Sequence, residues 1–375
     1  MSHRQRMVGK IIKEGMFGPG EAVILLAISS ISRLFLSYPG MLFEIGGPAT
    51  WLTPLGGLVL ALAAIFVLSL VLKKSPGSTI VEINEQAFGP YLGVAVNILA
   101  IVMVLELLGA TYIREFSEAM LVTTLRFTPI SVVDAAFLAL GLLGAYLGIE
   151  ALARTARLTY LYVLAALLFV ILALIPFWNF HNLLPLLGKG PKEVFILGSL
   201  STATLAELVI AGVIIQAMGG AEKLTRIGYR FIFMGFGLMM ITLLDLVLTY
   251  NWTVSEEFTQ PFLRLARTIY LGRFFQRLEA IFILVWVVVG ALKIALLLYA
   301  TAVSLARSLK LPDYRPLLWP LGLAMYILSL LPVDMVTTIR LDNYLRWLLF
   351  VPAYLLPLLI LAALWLKGRG ARAGN

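Results

Sequence analysis

Residues 23–47 read VILLAISSISRLFLSYPGMLFEIGG, and the interpretation of the whole chain depends on this stretch. Apolar residues flank a polar centre, and Pro39 follows it. The polar centre consists of Ser29, Ser30, Ser32 and Arg33. In hydrocarbon every backbone N–H and C=O group needs a partner, so a chain unwinds there only where protein or a water-filled cavity surrounds it. The stretch therefore predicts a membrane-spanning helix that is interrupted near its centre, where freed backbone groups can bind a ligand.

The composition is that of a polytopic membrane protein. Of the 375 residues 61% are hydrophobic and 13% are charged, and the mean hydropathy is +0.97. The apolar runs are about 20 residues long and do not alternate with period two, which favours helices over a β-barrel. The chain has no cysteine, which excludes disulfides and thiolate metal sites. No nucleophile–base pair, metal cluster or cofactor motif is evident, so we expect neither an enzyme nor a cofactor.

Ten apolar spans predict an all-α membrane protein. Their approximate limits are 21–45 (interrupted), 51–72, 92–113, 130–149, 158–176, 194–218, 231–250, 278–306, 317–331 and 345–366. Residues 1–19 are then a cytoplasmic N-terminal segment, residues 20–367 a transporter-like transmembrane domain, and residues 368–375 a cytoplasmic tail. Apolar residues at helical spacing in the connection 251–277 predict an amphipathic helix on the outer surface, and we expect a second one at 79–93 on the inner side.

Lys and Arg are more frequent in the connections on the N-terminal side of the predicted membrane than in those on the other side. This bias predicts that both termini are cytoplasmic. The net charge of +9 is explained by the same bias, and it does not require nucleic acid as a partner.

A second polar cluster indicates an internal repeat. The sequence SLSTAT at residues 199–204 lies in the sixth span, five spans after the serines of the first. Because five is an odd number, the second half of the chain enters the membrane from the opposite face. The order predicts a five-plus-five inverted repeat, about 20–176 and about 192–367, with helices one and six broken, which is the plan of many secondary transporters.

Two interrupted helices can bind a zwitterion at both ends. The half-helix before a break offers carbonyl groups to an ammonium group, and the half-helix after it offers N–H groups to a carboxylate. The predicted ligand is a zwitterion, and the predicted ligand-binding residues are Ser29, Ser30, Ser32, Arg33, Ser199 and Thr202. The alternative is that the serines bond back to the carbonyls of an intact helix or pack against another helix.

Charged residues inside the spans carry the second set of predictions. Lys293 lies too deep in the eighth span for its side chain to reach water, so it could stand in for a coupling cation, carry a proton, or form a plain structural salt bridge. Arg33 could neutralise a buried carboxylate or a ligand carboxylate, or pair structurally with Glu106 or Glu207. Either of these glutamates could pair with a cation, carry a proton or meet a substrate amine. Asp134 and Asp245 lie near span ends, where we expect them to be solvated.

Three blocks of sequence resemble a known family. Residues 260–299, QPFLRLARTIYLGRFFQRLEAIFILVWVVVGALKIALLLY, resemble the signature of the spore germination receptor B subunits, also called spore permeases. YPGMLFEIGGPATWL (38–52) and YLGIEALARTAR (146–157) are similar to two further blocks of that family. The resemblance implies the LeuT-like inverted-repeat fold of the amino acid–polyamine–organocation superfamily. It also implies the spore inner membrane, or a cell membrane, as the location.

The same resemblance implies a function. Members of the family are thought to recognise germinants, typically small amino acids, beside an A subunit and a lipid-anchored C subunit. We therefore expect a germinant-sensing subunit that binds a small amino acid between broken helices one and six. Relatives commonly have a glycine-rich break where this chain has Ser29–Arg33, so Arg33 could favour an anionic ligand or occlude the pocket. A proton-coupled amino acid symporter and a component of an ion-release channel are the alternatives.

Overall fold

The structure is a computed structural model that describes residues 15–269 and 279–373, and every regular element in these residues is helical. Eight helical stretches are long and apolar enough to cross a membrane, so the prediction of an all-α membrane protein is confirmed. They are Tyr38–Lys73, Pro90–Thr123, Ile130–Leu147, Ile149–Phe177, Glu193–Val213, Ala221–Thr249, Ile283–Ser308 and Met335–Lys367. Most of the predicted N-terminal segment, the connection 270–278 and the last two residues lie outside the described residues.

Two of the predicted spans are shorter than the others. The first span consists of α1 (Pro19–Ile31), with 13 residues, and α2 (Tyr38–Gly46), with nine. The ninth is a helix of 15 residues, Arg315–Ser329. With these two segments the described helices follow the predicted order of ten, in which the first and the sixth are interrupted.

The remaining helices complete this plan. In chain order they are α3 (Thr53–Lys73), α4 (Ile80–Phe88), α5 (Pro90–Thr123), α6 (Ile130–Leu147), α7 (Ile149–Leu174), α8 (Gly198–Ala203), α9 (Ala206–Val213), α10 (Ala221–Thr249), α11 (Trp252–Ser255), α12 (Pro261–Thr268), α13 (Glu279–Ser308), α14 (Arg315–Ser329), α15 (Met335–Leu348) and α16 (Leu356–Ala373). A π-helical turn, Glu193–Leu197, leads into α8, and another, Val351–Leu355, joins α15 to α16.

The connection between the second and third spans contains the helix that the sequence predicts. The backbone N–H of Thr79 donates to the Glu82 carboxylate at 2.7 Å, and the Thr79 hydroxyl caps the first turn of α4. Gly89 ends this helix with a φ of 90°, a value that favours glycine. Arg307 at the end of α13 donates to Glu82 at 2.7 Å, so α4 is fixed to the eighth span.

In the part that the structure describes, the longer connection is helical over Trp252–Ser255 and Pro261–Thr268. The second of these helices, α12, agrees with the predicted amphipathic segment, because its buried residues include Phe262, Leu263, Leu265 and Ala266.

A pair of glycines in α3 lets the second and sixth spans approach closely. A Cβ atom on Gly56 would lie 2.0 Å from the Ser199 hydroxyl oxygen, and one on Gly57 would lie 2.1 Å from that of Thr202. Real Cβ atoms are not found at such distances, so the contact between α3 and α8 depends on both glycines. This contact positions the interruption in the sixth helix.

Candidate functional site

The first helix is interrupted about one turn later than the sequence suggests. Ser30 and Ser32 donate to the carbonyls of Ala27 and Ser29 at 2.8 and 2.7 Å, so these serines bond back to the helix, as in the alternative interpretation. A 3₁₀ turn, Ser32–Phe35, and an extended residue then precede α2. Pro39 lies in the first turn of α2, where its missing N–H group needs no partner within the helix, so it favours a new helix that begins here.

The sixth helix is interrupted at Thr204 and Leu205. Leu205 is extended, with φ −115° and ψ 114°, and α8 ends directly before the pair while α9 begins directly after it. The prediction that helices one and six are broken is therefore confirmed.

Arg33 joins the two interruptions. Its guanidinium group donates to the carbonyl oxygens of Thr202 and Thr204, each at 3.0 Å. The side chain is buried, and its guanidinium carbon lies 4.3 Å from the centre of the Tyr38 ring. Among the described residues, Arg33 thus pairs with backbone carbonyls, and neither Glu106 nor Glu207 is its partner.

The other carbonyls at the end of α8 are also occupied. The hydroxyl group of Tyr354 donates to the Ala203 carbonyl at 2.8 Å, and that of Tyr38 reaches the Ser201 carbonyl at 3.4 Å. The last carbonyls of a helix have no partner within it. Here each carbonyl from Ser201 to Thr204 has a side-chain donor from this chain, so the predicted acceptor for a ligand ammonium group is covered in this conformation.

A second buried cluster joins the first, sixth and eighth helices. The Lys293 ammonium nitrogen lies 2.5 Å from Glu207 Oε1, and Ser29 donates to the same oxygen at 2.5 Å. Lys293 is 2% exposed, and its ammonium group lies 5.0 Å from the centre of the Tyr112 ring. The sequence predicts these charged residues individually, and the structure shows that Glu207 is the carboxylate that pairs with Lys293.

Two predicted ligand-binding residues face another helix. The Thr202 hydroxyl donates to the Thr53 carbonyl of α3 at 3.1 Å, and Ser199 lies against Gly56 of the same helix. The carbonyl of Thr202, rather than its side chain, belongs to the interruption. The structure therefore gathers Ser29, Arg33, Glu207 and Lys293 around the breaks, while the side chains of Ser199 and Thr202 lie at the contact with α3.

Glu106 stands apart from both clusters. It lies in α5 and is 7% exposed. Neither of its carboxylate oxygens has a hydrogen-bond partner among the described residues. An unpaired charge is costly in a membrane interior, so Glu106 is a candidate for carrying a proton or meeting a cation.

Three buried charged residues near the first interruption were not among the predicted site residues. Glu115 of α5 accepts a hydrogen bond from Ser37, and Asp342 of α15 pairs with Arg346 at 2.9 Å. The guanidinium carbon of Arg346 lies 4.8 Å from the centre of the Tyr38 ring, on which Arg33 also packs. The spacing of Asp342 and Arg346, four residues apart beside an apolar run, is a signal that could have identified this pair.

The expectation for Asp134 and Asp245 was wrong, because both are buried. Asp134 accepts a hydrogen bond from Ser329 of α14 at 3.1 Å, and Asp245 accepts one from the Trp178 indole at 2.8 Å. Neighbouring segments cover both span ends and supply a donor to each carboxylate.

A helical membrane protein in which the first and sixth spans are broken and meet through buried polar groups has the architecture of a secondary transporter. Within that class the chain belongs to the family described as spore germination protein, whose model matches residues 18–335. Spore germination protein KB of Bacillus subtilis strain 168 is 27% identical over 315 residues, which cover 82% of each chain.

Two solved structures show the same fold. A Na⁺-coupled sialic acid symporter in a substrate-bound outward-open state has a TM-score of 0.64 at 12% identity, and the match covers 92% of this chain and 80% of the symporter. Mhp1, a nucleobase-cation-symport-1 family transporter in a closed conformation with bromovinylhydantoin bound, has a TM-score of 0.66 at 13% identity, covering 91% and 76%. The protein is thus a multi-pass membrane protein that serves as a germination-receptor subunit or a transporter.

Proposed function

We propose that the chain is the germinant-sensing subunit of a spore germination receptor and that its ligand is a small amino acid. The ligand binds at the level of the two interruptions. The observation that carries this proposal is the position of Arg33, which lies in the interruption of the first helix and donates to carbonyls at the interruption of the sixth helix.

A zwitterion can exchange for the contacts that Arg33 makes. A guanidinium group matches a carboxylate through two parallel hydrogen bonds, and such charged pairs are stronger than hydrogen bonds to neutral carbonyls. When the ligand carboxylate takes Arg33, the carbonyls of Thr202 and Thr204 become free to accept the ligand ammonium group. The Arg33 guanidinium group then binds the ligand carboxylate, and the two carbonyls bind the ligand ammonium group. Without the ligand, the guanidinium group and the carbonyls bind each other.

Signalling follows from this exchange. Arg33 links the first and sixth helices directly, so its transfer to a ligand changes how the two halves of the fold are held together. A ligand shifts a conformational balance only by its difference in affinity for the two states. The receptor's A and C subunits are the proposed partners that respond to the shift, and the membrane is that of the spore, with both termini in the cytoplasm.

The experiment is equilibrium binding of labelled small amino acids to the purified protein, alone and with its A and C partners. Wild type is expected to bind at least one of them saturably, whereas Arg33→Met removes the carboxylate partner and abolishes binding. Arg33→Lys keeps the positive charge but loses the paired N–H donors of the guanidinium group, so this variant should bind the amino acid more weakly than wild type.

The matched control is Arg226→Met, because Arg226 is an exposed arginine at the start of α10. It should bind as wild type does. Wild-type affinity in Arg33→Met, or no saturable binding by any of the twenty amino acids, would overturn the proposal.

A proton-coupled amino acid symporter is the second candidate function. The burial of Glu106 is the observation that favours it. A buried carboxylate with no partner among the described residues can bind and release a proton as its surroundings change. A pH gradient should then drive accumulation of the amino acid in proteoliposomes, and Glu106→Gln should stop accumulation while equilibrium binding persists. Binding without accumulation in wild type would favour the sensing subunit.

A further inference from the structure

A groove of about 770 Å³ opens on the surface of the fold between α1 and α7. It is lined by Glu21, Arg154, Arg157, Leu158, Leu161, Tyr162 and Ala165. Leu158, Leu161 and Tyr162 are 72, 68 and 72% exposed, so most of their apolar surface has no neighbour in the described part of the chain. On a membrane-spanning helix, such exposed apolar side chains contact lipid.

The groove has a polar end and an apolar end. Arg154 lies in the second turn of α7, near the end of the span, and Ala165 is 11 positions further along the helix. At a rise of 1.5 Å per residue the distance is about 16 Å, which is about half of a hydrocarbon layer of about 30 Å. The guanidinium groups therefore lie near the headgroups, while the apolar wall extends towards the midplane.

Both arginines keep donors that have no partner among the residues the structure describes. Arg154 donates through Nε and Nη2 to one oxygen of Glu150, and Arg157 donates through Nη1 to Glu21 at 3.3 Å. A guanidinium group has five N–H donors, and the side chains of Arg154 and Arg157 are both 67% exposed. The remaining donors can meet a phosphate, beside the two carboxylates that the arginines already contact, Glu21 in the lining and Glu150 next to it.

We propose that this groove binds an anionic phospholipid of the surrounding bilayer. The lipid phosphate takes donors from Arg154 and Arg157, and an acyl chain lies along Leu158, Leu161 and Tyr162. Because Glu21 belongs to α1 and the other lining residues belong to α7, the lipid bridges the first half of the interrupted helix to the fifth span. The site is separate from the interruptions, and it does not depend on which ligand binds there.

The test titrates the full-length purified protein with dioleoyl phosphatidylglycerol or dioleoyl phosphatidylcholine and counts retained lipids by native mass spectrometry. Wild type is expected to retain the anionic lipid in preference. A basic residue near a membrane surface contributes about a factor of five to the affinity for anionic lipid, so Arg154→Gln/Arg157→Gln should bind about 30-fold more weakly. The control Arg226→Gln/Arg230→Gln removes the same charge from the start of α10, and it should bind as wild type.

A second variant tests the apolar end without changing charge. Ala165 is exposed, so Ala165→Trp fills the groove without disturbing the core, and it should weaken retention of phosphatidylglycerol. Equal retention by wild type and Arg154→Gln/Arg157→Gln would overturn the proposal, as would full retention by Ala165→Trp. Competition by glycerol 3-phosphate as strong as that by the lipid would indicate a site for free phosphate and would also overturn it.

Discussion

At the scale of single residues, the ion pair between Lys293 and Glu207 admits two interpretations that mutagenesis can separate. Lys293→Met leaves the Glu207 carboxylate buried without its cation, which is expected to cost about 3–5 kcal/mol of stability. Adding Glu207→Gln removes the unpaired charge, so the double variant should recover part of the loss. Thermal unfolding in detergent measures both effects, and Lys73→Met, at an exposed pair with Glu222, is the control that should change little.

Activity then decides the role of Lys293. We expect Lys293→Met to be made and inserted but inactive in ligand response. If Lys293→Met/Glu207→Gln recovers stability but not the response, Lys293 acts in coupling. If the response returns with stability, the pair is a plain structural salt bridge.

The buried charged residues also show how much of a membrane site can be predicted from a sequence. Arg33, Lys293 and Glu207 could be singled out because charges are costly in hydrocarbon. Their partners could not be predicted, because the sequence does not say which faces of the helices meet. Glu115 and Arg346 escaped notice because they lie at predicted span ends, Glu115 beyond Ile113 and Arg346 next to Leu345, although the helices extend beyond these positions.

At the scale of helices, the glycine pair of α3 leads to a prediction about packing. Gly57→Ala places a Cβ atom 2.1 Å from the Thr202 hydroxyl oxygen and 2.9 Å from its Cβ. The overlap forces α3 and α8 apart, and we expect a loss of about 1–3 kcal/mol, seen as a lower unfolding temperature. Gly237→Ala in α10 has no atom within 4 Å of the new Cβ, so it should be neutral or slightly stabilising. Equal effects of the two changes would contradict this account of the contact.

The cap of α4 leads to a prediction about acid stability. Burial opposes ionisation of Glu82, but Arg307 and Thr79 outweigh burial and hold the pKa of Glu82 below its usual value of 4.5. A lowered pKa stabilises the folded state above the unfolded value, and the contribution is lost as the pH falls through the folded pKa. Wild type should therefore unfold at a higher temperature than Glu82→Gln near neutral pH, and the difference should shrink as the pH falls below 4.5. A difference that is the same at all pH values would contradict the linkage.

Helices and their boundaries were predictable to different degrees. The helix in the connection 79–93 was predicted, and in the structure Thr79 and Glu82 cap its first turn and Gly89 ends it. The break in the first helix was predicted from its serines, yet Ser29 and Ser30 continue α1, and the break lies between Ile31 and Tyr38. The polar composition of the stretch was enough to predict that the helix is interrupted there. The residue at which the helix ends depends on local hydrogen bonds, which the composition does not specify.

At the scale of the whole molecule, the odd spacing of the two polar clusters was enough to predict the order of the fold. The solved transporters at TM-scores of 0.64 and 0.66 share that fold at 12 and 13% identity, so the same fold forms although most of the residues differ. The state of the site was not predictable in the same way. That Arg33, Tyr38 and Tyr354 cover the carbonyls at the end of α8 follows from contacts between residues that lie 151 or more positions apart in the sequence.

The central claim is that Arg33 exchanges two backbone carbonyls for the carboxylate of a small amino acid. The most direct measurement is a structure of the protein in lipid nanodiscs, determined by electron microscopy with the bound amino acid identified by the binding screen. The account predicts that the Arg33 guanidinium group lies within hydrogen-bond distance of the ligand carboxylate, and that the carbonyls of Thr202 and Thr204 face the ligand ammonium group. A bound amino acid elsewhere in the molecule, with Arg33 still on both carbonyls, would contradict it.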